Sequence, residues 1–320
     1  MQKDKIRNIT IIAHVDHGKT TLVDVMFQQS GSFREGQAVA ERLMDSMDLE
    51  KERGITIQAK NGSIKYNDHL VNIIDTPGHA DFGGEVERVM GMADGVVFLV
   101  DAAEGPMPQS YFVLKKAIAK NLPVIVMVNK LDKPAARPEW AVDQVFDLMV
   151  KLDAPDSIID FPTIYGSAKE GYATDDPSKR TDNIDILLDT IIDYVPAPTG
   201  DSTLALQMQI SSISYSSYVG RLAIGKISQG KVKVGQEVII ATPDEVFEKK
   251  RISKIYKFET AAQVSAEEAT TGEIIAIAGL DNCKIGQTIT DPANPAPLPA
   301  THIDPPTISM LFLPNDSPFA

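Results

Sequence analysis

From Lys5 to about Val195 the chain alternates short runs of β-branched and apolar residues with stretches whose apolar positions recur every three or four residues. The runs are RNITIIAHV, LVNIIDTPG, GVVFLVDA, PVIVMVNK and FPTIYGSA. Between them stand GKTTLVDVMFQQ, GGEVERVMGMA, PQSYFVLKKAIAK and PEWAVDQVFDLMVKL, which carry helical spacing. This rhythm predicts a mostly parallel, doubly wound α/β sheet whose ligands sit at the carboxyl ends of the strands. NGSIKYNDHLVNIID reads as a hairpin that adds one antiparallel edge.

After the Pro/Gly/Ser linker VPAPTGDSTLA the pattern changes. LALQMQISSI, VGRLAIGKIS, VKVGQEVIIA, EKKRISKIYKF and GEIIAIAGL follow one another with Gly-rich turns and no helices, which predicts an all-β barrel. The expected division is 1–197 for the α/β domain, 201–300 for the barrel, and 301–320 for a linker and the start of a truncated third domain. The charged stretch SGSFREGQAVAERLMDSMDLEKERGIT, before the hairpin, reads as a mobile functional loop because long loops in compact domains are usually lids or binding segments.

Composition narrows the class. The chain has 320 residues, 43% apolar and 23% charged, enough for two cores. Its single cysteine, Cys283, excludes an intramolecular disulfide and points to a reducing compartment. The apolar runs are too short to span a bilayer, so a cytoplasmic protein without a membrane partner is expected. A net charge of −13 argues against broad coating of nucleic acid, though not against docking through a few local contacts.

IIAHVDHGKTTL, residues 11–22, admits two chemistries. His14, Asp16 and His17 form most of a two-metal hydrolase's ligand run, with Ile12 where its first histidine belongs. Alternatively, Gly18, Lys19 and Thr20 supply the backbone N–H groups, the ammonium and the Mg²⁺-binding hydroxyl of a phosphate loop, with Ala13 replacing its first glycine. DTPG decides for the phosphate loop, because it ends the next parallel strand at the same sheet edge. There Asp75 can hold Mg²⁺ through water, and the Gly78 N–H can meet a γ-phosphate.

NKLD, following another buried strand, selects the base. An Asp132 carboxylate accepts from the N1–H and exocyclic amine of guanine, whereas adenine leaves it unpaired; such sites discriminate by about 10⁴ to 10⁵. Asn129 and Lys130 belong to the same loop. GSAK ends the last strand, where the Ser167 and Ala168 N–H groups could face guanine O6, with Lys169 beside them. In RGIT, Thr56 can reach the Mg²⁺ only while the γ-phosphate is present, which makes the preceding loop a switch.

The order AHVDHGKTT, EKERGITI, DTPGH, NKLD, GSAK, with GRLAIGKISQGKVKVGQEV behind it, resembles the translational GTPases over essentially the whole chain. TISMLFLPNDSPFA resembles the opening of that family's third domain. The resemblance implies GTP and GDP as ligands, held by His14, Val15, Asp16, His17, Gly18, Lys19, Thr20 and Thr21 with Asp75, Gly78, NKLD and GSAK. It implies Mg²⁺ on Thr20, Thr56 and, through water, Asp75, and a possible monovalent cation at Asp16. His79 matches the histidine that orients the attacking water, and Val15 and Ile55 match the apolar gate that restrains it. Lys19 and Thr56 complete the catalytic set. The implied protein is a monomeric switch whose hydrolysis is stimulated by the ribosome, through rRNA and ribosomal proteins, in translation, assembly or stress adaptation. A free-standing GTP-dependent metabolic enzyme with the same two domains is the alternative.

Overall fold

The structure is a computed structural model that describes residues 2–31, 56, 59–77, 83–299, 310, 311, 313 and 314. After a 3₁₀ turn at Lys3–Lys5, the first domain runs β1 (Ile6–Ala13), α1 (Lys19–Gln29), β2 (Lys60–Tyr66), β3 (His69–Asp75), α2 (Gly83–Met90), β4 (Gly95–Asp101), α3 (Pro108–Ala119), β5 (Val124–Asn129), α4 (Pro138–Lys151), α5 (Asp156–Ile159), β6 (Thr163–Ser167), β7 (Tyr172–Thr174) and α6 (Asp185–Tyr194). Its seven strands lie in the order β2-β3-β1-β4-β5-β6-β7. β3, β1, β4, β5 and β6 are parallel neighbours, and β2 is the antiparallel edge that the hairpin pattern predicts. A second antiparallel edge, β7 against β6, was not anticipated. Three residues are too few to show a period.

Alternation along the central strands explains why helices cover both faces. Val97 and Leu99 of β4 join Ile9 and Ile11 of β1 against Leu22, Met26 and Phe27 of α1 and Leu187, Leu188 and Ile191 of α6. Val96, Phe98 and Val100 point the other way, against Val86, Val113, Leu114, Val145 and Met149 from α2, α3 and α4. Each such side chain contributes about 1.5–3 kcal/mol by leaving water. A one-residue slip would swap the two sets of side chains between the faces and mismatch both helix layers, so packing on both sides holds the register.

The second domain contains β8 (Gln207–Gln209), β9 (Ser212–Ser216), β10 (Gly220–Gln229), β11 (Lys231–Lys233), β12 (Glu237–Ala241), β13 (Val246–Arg251), β14 (Lys254–Glu259), β15 (Ala262–Ala266), β16 (Glu268–Thr270), β17 (Ile274–Ala278) and β18 (Thr288–Thr290). β13-β12-β18-β8-β10-β17-β14-β15 form an antiparallel sheet, with β9 also on β10 and a separate β11–β16 pair. Met208, Ile210, Ala223, Ile227, Val238, Ile255, Ile275 and Ile289 fill its interior.

The two domains share a core. Ala59, Ile74, Val89 and Met92 of the first pack with Leu222, Ile224, Phe258, Ile274 and Ala276 of the second. β2 also pairs with the barrel: the Ser63 N–H donates to the Thr260 carbonyl at 3.0 Å, and the Thr260 N–H returns the bond at 2.8 Å. Gly62 permits this approach, because a Cβ there would lie 2.6 Å from both the Phe27 ring and the Thr260 carbonyl. A polar chain crosses beside it. Asn72 Nδ2 donates to Asn8 Oδ1 at 2.7 Å, Asn8 Nδ2 donates to Asp94 Oδ2 at 2.7 Å and to the Gly272 carbonyl at 3.0 Å, and Lys226 Nζ meets Asp94 Oδ1 at 2.8 Å.

Removing the carboxylate from this chain strands a largely buried ammonium and one amide hydrogen. Asp94→Ala is expected to lower unfolding free energy by about 2–4 kcal/mol in a urea titration, and adding Lys226→Met should recover part of it. An unchanged midpoint for Asp94→Ala would contradict the interface described.

Candidate functional site

β1 enters the phosphate loop without strain. Ala13 is still in register with Leu99 of β4 and packs in the core, so no left-handed residue is needed there and the missing glycine is accounted for. The turn comes later: Asp16 has φ +65°, the His17 N–H closes on the His14 carbonyl at 3.2 Å, and Gly18 caps α1 at φ +98°. Gly18 is required twice over. Its φ favours glycine, and a Cβ would sit 2.6 Å from Asn129 Nδ2. The first turn of α1 then presents N–H groups and the positive end of the helix dipole, a natural seat for an anion.

Lys19 opens α1 and is almost fully buried. Its ammonium contacts Asp75 Oδ1 and lies 3.3 Å from Thr56 Oγ1. Three predicted residues from separate segments thus converge: Lys19, Thr56 and Asp75. Among the described residues, buried Asp75 Oδ2 has no hydrogen-bond partner, which marks a carboxylate oxygen suited to a cation. Thr20 is half-buried on the next position of α1, and Thr21 is exposed. β1 and β3 are clamped side by side by Thr76 Oγ1 donating to the Ile11 carbonyl and Thr10 Oγ1 to the Ile74 carbonyl, each at 3.1 Å. The Asp75 carboxylate, with the Thr56 hydroxyl on the same Lys19 ammonium, supplies oxygen donors of the kind that Mg²⁺ prefers.

On the other side of the loop, the Asn129 carboxamide joins three strands' ends. Nδ2 donates to the His17 carbonyl at 2.8 Å, and Oδ1 accepts the Ala168 N–H at 2.8 Å. Ala168 was expected to turn its N–H toward a base; here that N–H locks Asn129 instead. Ser167 acts through its side chain, donating from Oγ to Asp132 Oδ1 at 2.7 Å and accepting the Glu170 N–H at 3.2 Å. Asp132 remains exposed, oriented by that bond, with Lys169 exposed nearby in sequence to Ser167. Lys130, at φ +65°, reaches back so that its ammonium contacts the Asp16 carbonyl.

His14 and His17 lie edge to face with centroids 5.2 Å apart. His17 is fully buried, and its Nδ1 accepts the Asp101 N–H at 3.3 Å, so it packs the loop against the end of β4. Burial, and then the neighbouring His14, hold its pKa below the ordinary 6.5 against the opposing pull of Asp101 and Glu104. Among the described residues no three histidine, cysteine, aspartate or glutamate side chains converge on a metal-sized site. Val15 is half-buried in the loop and Asp16 exposed. Ile55, Gly78 and His79 lie outside the described residues.

Sequence reasoning missed Asp101. It ends β4 with no exposure, and its Oδ2 meets Lys130 at 3.0 Å and Lys133 at 2.9 Å. Burial pushes the carboxyl up, but the hydrogen bonds from Lys133, the Ala103 N–H and Lys130 outweigh it and bring it from 3.8 to about 2. The available signal was an aspartate closing the apolar run GVVFLV at the same edge as the other motifs.

A carboxylate with a depressed folded-state pKa stabilises above its unfolded value and stops doing so as pH falls through its folded value. The stability difference between wild type and Asp101→Asn is therefore expected to be flat from neutral pH down to about 5, and to narrow as pH falls from 3.8 toward about 2. Urea titrations across that range check it; a difference that grows with acid would contradict the assigned ion pairs.

Comparison with known proteins follows the same division. Residues 4–197 match the elongation factor Tu GTP binding domain, and residues 220–290 match elongation factor Tu domain 2. The large ribosomal subunit assembly factor BipA of Bacillus subtilis (strain 168) is 50% identical over 318 residues, covering 99% of this chain and 52% of that protein. The protein of the same name from Salmonella typhimurium is 53% identical over 316 residues, 99% of this chain and 52% of its own length. The Synechocystis sp. protein is 51% identical over 315 residues, 98% and 53% respectively. The chain thus spans about half the length of the curated relatives it matches. Since the first domain's family match takes in most of the chain, and the second domain's match follows it in the expected order, this chain belongs to the translational GTPases.

Proposed function

We propose that the chain binds GTP and GDP with Mg²⁺ and hydrolyses GTP to GDP and phosphate, as a cytoplasmic monomeric switch stimulated by the ribosome. The observation that carries this reading is the convergence of Lys19, Thr56 and Asp75 at the N-terminus of α1, on the same sheet edge as Asn129 and Asp132. The Lys19 ammonium, now on Asp75, is placed to exchange that carboxylate for β- and γ-phosphate oxygens. Thr20, Thr56 and Asp75 would hold the Mg²⁺, which supplies neutralisation of phosphate charge. The exposed Asp132 carboxylate, oriented by Ser167, accepts the two guanine donors. His79 orients the attacking water, and Val15 with Ile55 restrains it before stimulation. The Asp16 carbonyl already accepts from Lys130, so a monovalent cation there would depend on the Asp16 carboxylate alone.

Phosphoryl transfer of this kind needs alignment and charge neutralisation more than a strong base, so slow intrinsic turnover and a large response to an activator go together. Relatives named as large ribosomal subunit assembly factors support the large ribosomal subunit as the partner and assembly as the process, and contacts with its rRNA and proteins are part of the proposal. With a net charge of −13, docking on RNA would use local contacts, not a broad basic face.

GTP turnover measured with and without ribosomes, for this chain and for a chain of the relatives' full length, tests the reading. His79→Ala should leave GTP affinity near wild type and cut ribosome-stimulated turnover at least about 100-fold, the scale of one lost positioning group. Unchanged stimulated turnover would overturn the His79 role, and turnover driven by a small co-substrate with no response to ribosomes would favour a metabolic enzyme. Asp132→Asn turns an amine toward the guanine donors and should weaken GDP at least about 100-fold while improving xanthosine diphosphate, whose ring offers an acceptor there. Equal GDP binding by wild type and variant would refute base reading by Asp132.

A further inference from the structure

We propose that Asp101 is a positioning residue for nucleotide affinity: it holds Lys130 against the phosphate loop and so sets the spacing between the phosphate loop and the base-reading loop. The proposal rests on the guanine-nucleotide reading above.

β4 and β5 end in register, Asp101 beside Asn129, and their exits are knitted together. The Ala102 N–H donates to the Asn129 carbonyl at 2.8 Å, and the Gly105 N–H turns back to the Asp101 carbonyl at 2.9 Å. The Asp101 side chain has both oxygens engaged. Oδ1 accepts the Ala103 N–H at 2.8 Å, and Oδ2 takes the Lys130 and Lys133 ammonium groups at 3.0 and 2.9 Å. Two cations on one buried oxygen require that it stay ionised.

Lys130 is the link to the phosphate loop. Its backbone adopts φ +65°, unusual for a residue with a side chain, and its ammonium contacts both Asp101 and the Asp16 carbonyl. Asp16 itself has φ +65°. Two uncommon backbone turns thus face each other across one ammonium, and Asp101 supplies the charge that keeps it there. A nucleotide is gripped at both ends, by phosphate at Gly18–Thr20 and by base at Asp132. Fixing the distance between those ends beforehand removes an ordering cost from binding, which appears as affinity and not as rate. A purely structural Asp101 would change stability without that signature.

The test is a double-mutant cycle on GDP affinity, by calorimetry with Mg²⁺, using wild type, Asp101→Asn, Lys130→Met and the double variant, alongside steady-state GTP hydrolysis. Asp101→Asn is expected to weaken GDP about tenfold and raise KM for GTP by a similar factor, with kcat within about twofold; in the Lys130→Met background it should add almost nothing. Unchanged GDP affinity, a loss equal to the product of the two single losses, or a loss confined to kcat would each overturn the proposal. If Asp101→Asn does not fold, Asp101→Glu, which keeps the charge but moves it by one methylene, enters the same cycle with the same expectation. Wild-type protein that binds ADP as tightly as GDP would refute the guanine reading instead. The positioning claim is then decided by amide hydrogen exchange over residues 16–19, which must be faster in Asp101→Asn than in wild type.

Discussion

The Asn129 carboxamide donates to the His17 carbonyl and accepts the Ala168 N–H, each at 2.8 Å, so the exits of β1, β5 and β6 share one buried amide. A carboxamide is suited to this because it donates and accepts at the same time without carrying charge. Its position leaves no room for a side chain at residue 18, which in turn places the N-terminus of α1. Phosphate loop and base-reading loop are thereby tied to each other through Asn129, and the Asp101–Lys130–Asp16 contact is a second tie between the same two loops.

Charge is arranged around that body in two pairs of different character. Lys19 and Asp75 are buried together, and each is the group that a nucleotide with its metal would call on, one for phosphate and one for cation. Breaking a buried pair is costly unless both partners are satisfied again. On the proposed function, phosphate and Mg²⁺ arriving together would do so, and the binding of the two would then be interdependent. Lys130, Lys133 and Asp101 form the second group. There the carboxylate stays on its lysines, and the role is architectural.

Most of the first domain could be read from the chain because its central strands are buried on both faces and so appear as uninterrupted apolar runs, most of them ending in a chemical motif. Lys19, Thr56, Asp75, Asn129 and Asp132 were visible as residues of those motifs, and the barrel was visible as strands without helices. What was not visible is what depends on distance across the sheet. The Ala168 N–H looked free to meet a base, but its partner lies 39 residues away in sequence. Asp101 closes an apolar run like any strand-ending aspartate, and only the return of Lys130 and Lys133 upon it gives it a role. β7 was too short for a period, and the Asn72–Asn8–Asp94–Lys226 chain joins residues that carry no motif at all.

That chain and the shared apolar core place the barrel against β2, which follows Thr56 closely, and against Val89 and Met92 just beyond the Asp75 edge. The centre of the proposed function, however, is the candidate nucleotide site itself. Competition titration of GDP against ADP, with Mg²⁺ present, measures it most directly. The arrangement of Asp132, Ser167 and Asn129 predicts that GDP binds at least about 1,000-fold more tightly, short of the about 10⁴ to 10⁵ of fully buried sites because Asp132 is exposed. Equal affinity for the two nucleotides would contradict it.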